Sequence, residues 1–165
     1  MKVIDNFLPE YQFKQIQSTM IGEDFPWYFN DYICGNPKLY QFTHTFYKKK
    51  PPRNGISSTY YSLFDFCQTK LSVKYLHRIK ANLNPRTIFH RNTGWHIDYS
   101  NEPPIKTSVF YLNTNNGYTE IKGYGKVKSV ANRMVIFDSN VKHAGVTCTD
   151  EKRRVVVNFN YEENS

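Results

Sequence analysis

Apolar positions along this chain recur at two spacings, and the change from one to the other divides it. Val3-Ile4-Asp5-Asn6-Phe7-Leu8 reads as a short strand. Pro9 then opens a helix that carries Phe13, Ile16 and Met20 on one face. Residues 25 to 47 are strand-like, through Trp27-Tyr28-Phe29 and then Gln41 to Tyr47. A second helix is predicted over 57–70, where Tyr60, Tyr61, Phe64 and Cys67 recur every three or four residues. From Tyr75 the period falls to two. Strands are expected at 75–83, 86–90, 93–98, 105–112, 118–121, 126–130, 133–138, 143–148 and 153–161. Turn formers separate several of them, at Asn84-Pro85, Asn101-Glu102-Pro103-Pro104 and Asn113 to Gly117. Many short strands without intervening helices imply a sandwich, barrel or jelly roll, with the two helices packed on one outer face. The class is α+β.

Length and composition sharpen this picture. The 165 residues suit one domain, with 1–74 as a supporting region and 75–161 as the β-rich core. Aromatic residues make up 16% of the chain, and alanine occurs three times (Ala81, Ala131, Ala144), which favours strands over long helices. The longest aliphatic run is Val155-Val156-Val157, far short of the roughly 20 apolar residues of a membrane span. The charged opening Met1-Lys2-Val3-Ile4-Asp5-Asn6 does not suit a signal peptide, so a cytoplasmic location is expected. Cys34, Cys67 and Cys148 are odd in number and far apart, which suits buried thiols in a reducing compartment. The abundance of Asn, Lys, Tyr and Ile suits an AT-rich genome such as a phage's. The formal charge of +8 permits a nucleic-acid or anionic partner without requiring one. Its densest cluster, Lys48 to Arg53, is full of turn formers and reads as a solvated loop.

The chemistry is carried by Gly94-Trp95-His96-Ile97-Asp98. Two residues apart on a strand, His96 and Asp98 share a face. That spacing alone is weak evidence, since roughly 0.4 such pairs would arise here by accident. His143 follows 45 residues beyond Asp98, on a second expected strand. Two imidazoles and one carboxylate form the facial triad that holds non-haem Fe(II) and leaves three positions open. Arg153-Arg154 then begins the last strand. A 2-oxo acid that chelates such an iron has a second carboxylate, and a guanidinium can clamp it with two charge-assisted hydrogen bonds. Strand register favours Arg154 for this role, with Val156 following inward, Asn158 on the same side, Tyr161 in phase and Arg153 facing out.

Together these residues resemble the Fe(II)/2-oxoglutarate-dependent dioxygenase superfamily, and within it the prolyl 4-hydroxylase-like branch. The likeness lies in His96-x-Asp98, His143 and Arg154 to Tyr161, supported by Thr107 to Asn113 and Arg133 to Asp138. The opening Val3 to Pro9 resembles small phage and bacterial members. The resemblance implies a double-stranded β-helix (jelly roll) core with the helices on one face. It implies His96, Asp98 and His143 as metal ligands, and Arg154 as the residue that binds 2-oxoglutarate with help from Tyr111. Asn158 and Asn82 are expected to border the co-substrate. The cofactors implied are Fe(II), 2-oxoglutarate and O2, with ascorbate as a candidate reductant. Two departures stand out: Gly117-Tyr118-Thr119-Glu120 keeps one of the branch's paired glycines, and the sixth position after Arg154 is Asn160. The branch that demethylates nucleic-acid bases has an arginine there, so its absence counts against that chemistry.

The activity implied is hydroxylation of an unactivated C–H bond, with release of succinate and CO2. The branch points to a peptidyl proline or another protein side chain; a free amino acid or small metabolite is the alternative. Two other classes compete: a nucleic-acid-binding or base-modifying protein that uses the basic loop, and a cupin-like barrel that binds another metal through His90, His96 and His143.

Overall fold

The period-two segments pair into two antiparallel sheets that face one another. The computed structural model describes residues 1–33, 36–50, 53–56, 58–100 and 104–164. In spatial order the larger sheet holds β1 (Lys2–Ile4), β9 (Arg133–Asp138), β6 (Ile105–Tyr111), β11 (Arg153–Glu163), β5 (Val73–Pro85), β3 (Gln41–Lys50) and β2 (Tyr28–Asn30). β4 (Arg53–Ile56) pairs with β3 at the margin. The smaller sheet holds β10 (His143–Val146), β7 (Tyr118–Ile121) and β8 (Gly125–Lys128). From β5 onward the chain passes back and forth between the sheets, which is the jelly-roll topology.

The two faces of the larger sheet have different partners. Its outer face presents Ile79, Ala81, Phe110, Met134, Val155, Val157 and Phe159 to the helices. Helix α1 (Glu10–Ile21) contributes Phe13, Ile16 and Met20, with the Phe13 ring edge-on to Phe110. The turn Tyr61–Phe64 and helix α2 (Asp65–Lys70) contribute Phe64 and Cys67, with Phe64 edge-on to Phe159. The inner face is drier toward β6 and β9, where Val109, Tyr111, Val135 and Phe137 meet Ile121 and Val127 of the smaller sheet. Toward β5 and β11 the inner face turns polar, and a cavity opens there.

Several expectations change. The helix predicted over 57–70 is a 3-10 turn followed by six residues of α2, and residue 57 lies outside the described residues. Residues 86–90 form no strand; Arg86 and Thr87 donate singly to Lys152 O and Cys148 O. The segment at 93–98 is a broken strand beside β10. It keeps two bridges, Asn92 to Val146 and His96 to His143. Gly94 interrupts it at φ +112°, its N–H tied to Asn92 Oδ1. Among the described residues of 25–47 the strands are β2 and the first part of β3, and the basic segment expected to be a loop begins within β3, where Lys48 pairs with Gly55 of β4. Pro51, Pro52, residues 101–103 and Cys34 lie outside the described residues, whereas Cys67 and Cys148 are buried thiols as expected. Among the described residues no helix is long and apolar enough to cross a membrane.

Asn132 helps clamp the N-terminal segment to the jelly roll. Asn132 sits at φ +62°, a left-handed conformation that asparagine tolerates better than most residues. Its Oδ1 accepts from Leu8 N at 2.9 Å, and its Nδ2 donates to Leu8 O at 2.8 Å. Replacement by alanine leaves a buried N–H and a buried C=O unpaired, at about 1–3 kcal/mol each. Asn132→Ala is therefore expected to lower stability by about 2–4 kcal/mol in urea denaturation, with the m-value unchanged.

Candidate metal centre and cavity

The broken strand aims His96 into the space between the sheets, and the start of β10 does the same for His143. Asp98 follows His96, its N–H bonded to Ser139 O at 3.0 Å. The ligand atoms of His96, Asp98 and His143 lie within 4.8 Å of one another. His96 Nε2 is 3.8 Å from Asp98 Oδ1, and His143 Nε2 is 3.9 Å from Oδ2. Each imidazole is oriented through its other nitrogen: His96 Nδ1–H donates to Gly94 O and His143 Nδ1–H to Val141 O, both at 3.0 Å. Both Nε2 lone pairs therefore point inward. His143 Nε2 is fully buried with no hydrogen-bond partner. Three acceptors thus converge beyond hydrogen-bonding distance with no donor among them, an arrangement that a cation satisfies. The donor set fits Fe(II).

The electrostatics favour the metal-binding forms of Asp98 and His143. Burial is the largest influence on Asp98 and pushes its pKa up, but the Arg78 guanidinium, the two imidazoles and the Asn160 amide outweigh it, so the net shift is down. Burial also pulls the His143 pKa down, against the attraction of Asp98, so the neutral imidazole is favoured. Asp98 Oδ1 accepts from Arg78 Nη2 at 3.0 Å, and Oδ2 accepts from Thr107 Oγ1 and Asn160 Nδ2 at 2.9 Å each. Arg78 Nε also donates to Asn160 Oδ1 at 2.9 Å. Sequence reasoning did not find Arg78. It stands opposite Asn160 in the β5–β11 ladder, so the sixth position after Arg154 does meet a guanidinium, delivered from the neighbouring strand.

A cavity of about 260 Å3 extends from this centre. Its walls include Asn82, Asn84, Val156, Asn158, Thr119 and, at the far end, Arg154. Arg154 is 2% exposed, yet among the described residues it pairs with no carboxylate. Burial pulls its pKa down, partly offset by Tyr111 and Cys148. Nε donates to Ser129 Oγ at 3.0 Å and Nη2 to Thr119 Oγ1 at 2.9 Å. Glycines flank this side chain, and the close approach demands one at Gly117. A Cβ at Gly117 would sit 2.8 Å from Arg154 Cδ, and one at Gly145 would sit 3.5 Å from Nη1. The single glycine before Tyr118 therefore makes room for the arginine.

The remaining expected residues divide. Asn82 and Asn158 line the cavity, and Asn158 Oδ1 is buried without a partner. Tyr111 does not line it; its ring lies under the guanidinium at 5.6 Å and its hydroxyl donates to Thr119 Oγ1 at 2.7 Å. Arg153 points to the outer face and donates to Ile21 O, as the register implies. Tyr161 is out of phase with Arg154: seven residues on, it falls on the outer face with Val155, Val157 and Phe159, buried in the outer core with its hydroxyl against Ser108. His90 is not in the metal cluster; its Nδ1 faces Thr147 O. Thr119, Ser129 and Asn84 gave no sequence signal, since short polar residues in strands usually mark solvent.

No protein-family model matches this chain, and no curated protein does. Solved structures resemble it over nearly its whole length. An oxidoreductase of the 2OG-Fe(II) oxygenase family from Burkholderia pseudomallei has a TM-score of 0.68 at 12% identity, covering 99% of this chain and 86% of that one. A Pseudomonas putida prolyl-4-hydroxylase has a TM-score of 0.58 at 14% identity, covering 99% and 92%. A prolyl hydroxylase from Trichoplax adhaerens, in complex with a hypoxia-inducible-factor peptide fragment, has a TM-score of 0.58 at 15% identity, covering 97% and 82%. The chain has the double-stranded β-helix fold of these oxygenases.

Partners that hydrogen-bond a metal ligand typically change metal affinity 10- to 100-fold. Arg78→Leu is expected to weaken Mn(II) binding by about that factor in calorimetric titration. Arg78→Lys, which keeps the charge but loses the fork that also holds Asn160, should fall between.

Proposed function

We propose that the protein is an Fe(II)- and 2-oxoglutarate-dependent dioxygenase. The observation that carries this reading is the cavity's two ends: a convergent His-Asp-His cluster at one, and a buried guanidinium without a carboxylate partner at the other. A buried, unpaired ion costs several kcal/mol, so the cavity is built for an anion. A 2-oxo dicarboxylate supplies a chelating end for the metal and a carboxylate for Arg154.

In this reading His96, Asp98 and His143 hold the iron through two neutral imidazoles and one carboxylate. Bound Fe(II) supplies the activation of O2 that couples decarboxylation of 2-oxoglutarate, to succinate and CO2, to hydroxylation of a C–H bond. The chain's own residues position and enclose. Arg78, Thr107 and Asn160 fix both oxygens of Asp98. Gly94 O and Val141 O fix the imidazole tautomers. Ser129 and Thr119 set the plane of the Arg154 guanidinium, and Tyr111 packs beneath it. Asn82 and Asn158 border the co-substrate, and Val156 and Val109 present apolar wall to its carbon chain. Ascorbate would serve only to restore Fe(II).

The substrate is proposed to be a peptidyl proline or another protein side chain. Support comes from the fold shared with prolyl hydroxylases, one of them holding a peptide.

Anaerobic addition of Fe(II) and 2-oxoglutarate should give a weak visible charge-transfer band that His143→Ala abolishes. Arg154→Met should raise the 2-oxoglutarate dissociation constant on the order of 100-fold or more, since truncation of a buried, hydrogen-bonded charge costs about 2–5 kcal/mol. Succinate release with proline-containing peptides, but not with free amino acids, identifies the substrate class. The opposite preference makes a small metabolite the substrate. A folded protein that gives no band overturns the reading.

A further inference from the structure

Among the described residues, three of the four buried side-chain atoms that lack hydrogen-bond partners border the same cavity: His143 Nε2, Asn158 Oδ1 and Asn84 Nδ2. The first belongs to the metal cluster. The third has no assigned role. Asn84 is 4% exposed and lies directly opposite Arg154 in the β5–β11 ladder. Side chains paired across antiparallel strands share a face, with Cβ atoms about 5 Å apart. A buried amide donor without an acceptor thus lines the same cavity as a buried guanidinium that, among the described residues, has no carboxylate, and it starts from the paired position across the ladder. Each lacks what a carboxylate supplies, and together they offer one charged and one neutral donor at the cavity's far end.

We propose that Asn84 is a co-substrate-binding residue whose Nδ2 donates to the distal carboxylate of the 2-oxo acid alongside Arg154. This rests on the dioxygenase reading above. It adds a residue from β5 to a clamp otherwise drawn from β7, β11 and Ser129, the residue after β8, and it makes the far end selective. Nδ2 can donate only to an acceptor, so an amide or an amine-bearing end group meets a poorer match than a carboxylate does.

The test uses the full chain loaded with Mn(II), a redox-silent stand-in, titrated calorimetrically with 2-oxoglutarate and with pyruvate, a 2-oxo acid that lacks the second carboxylate. Asn84→Leu removes the donor and is expected to weaken 2-oxoglutarate binding about 10- to 100-fold, the range of a hydrogen bond to a charged group. Pyruvate binding and Mn(II) affinity should stay within about twofold of wild type, and the ligand-free protein should melt no lower, because a buried unsatisfied donor is gone. Asn84→Asp, nearly isosteric, places a carboxylate against Arg154. It should raise the ligand-free melting temperature and weaken 2-oxoglutarate binding by more than about 100-fold. If Asn84→Leu does not fold, Asn84→Asp decides alone. Wild-type affinity for 2-oxoglutarate in either folded variant, or equal losses for both acids, overturns the assignment of Asn84 and leaves the dioxygenase reading standing. Wild-type protein that binds Mn(II) but no 2-oxoglutarate overturns that reading, and this assignment with it.

Discussion

The ladder between β5 and β11 is the constraint on which the site depends. From Arg153 opposite Pro85 to Asn160 opposite Arg78, the two strands keep one unbroken antiparallel register. Odd positions of β11 and their partners on β5 carry the apolar residues that meet the helices. Even positions carry Arg154, Val156, Asn158 and Asn160, facing Asn84, Asn82, Lys80 and Arg78. A slip of one residue would push guanidinium and amide groups into the aromatic core and turn Val157 and Phe159 toward the metal cluster. The outer core therefore fixes the chemistry. Phe64 against Phe159 and Phe13 against Phe110 hold the sheet in the one register that assembles the cavity.

The same register allots two guanidiniums to two tasks. Arg78 is partly exposed, pairs with Asp98, and spends its charge on a carboxylate the chain provides. Arg154 is deeper and leans on neutral oxygens of Ser129 and Thr119, so its charge stays uncompensated within the chain. The contrast separates structure from recognition. In the proposed reading the arginine with an internal acid orders a metal ligand, and the one held by hydroxyls receives an anion.

Much of this was legible in the sequence, and the gaps have a common cause. His96, Asp98, His143 and Arg154 could be read because their types and order match a chemistry, and the β11 register could be counted from its valines. Arg78 and Asn84 could not. Arg-Ile-Lys-Ala-Asn-Leu-Asn over 78–84 alternates perfectly, but an alternating strand is ordinarily read with its polar face toward water. Here the polar face looks into a cavity between sheets, which only the nonlocal pairing reveals. The broken strand around Gly94 and the shift after Asn160 were missed for a related reason. A period-two pattern assumes an unbroken ladder, and each interruption sits beside the metal cluster, where the backbone bends to aim a side chain. Tyr161, an odd step from Arg154, takes the outer face by the same alternation that turns Arg154 inward.

A fold that keeps His143 Nε2, Asn158 Oδ1 and Asn84 Nδ2 buried and unpartnered gives up stability in its ligand-free form, at about 1–3 kcal/mol per group. Well-packed apolar residues at those positions would give a more stable and inert jelly roll. In the proposed reading the loss is recovered when metal and anion bind, because a ligand that binds only the folded state stabilises it by RT ln(1 + [L]/Kd). Binding and folding are thereby coupled through the ladder itself. The strands that bury the outer core also hold the unmet donors, so a ligand that satisfies Arg154 ties β11 more firmly to β5, β7 and β8. The aromatic packing on the outer face has to be strong enough to hold that strained inner face together until the ligand arrives. This accounts for so many of the chain's phenylalanines lying on the side of the sheet away from the chemistry.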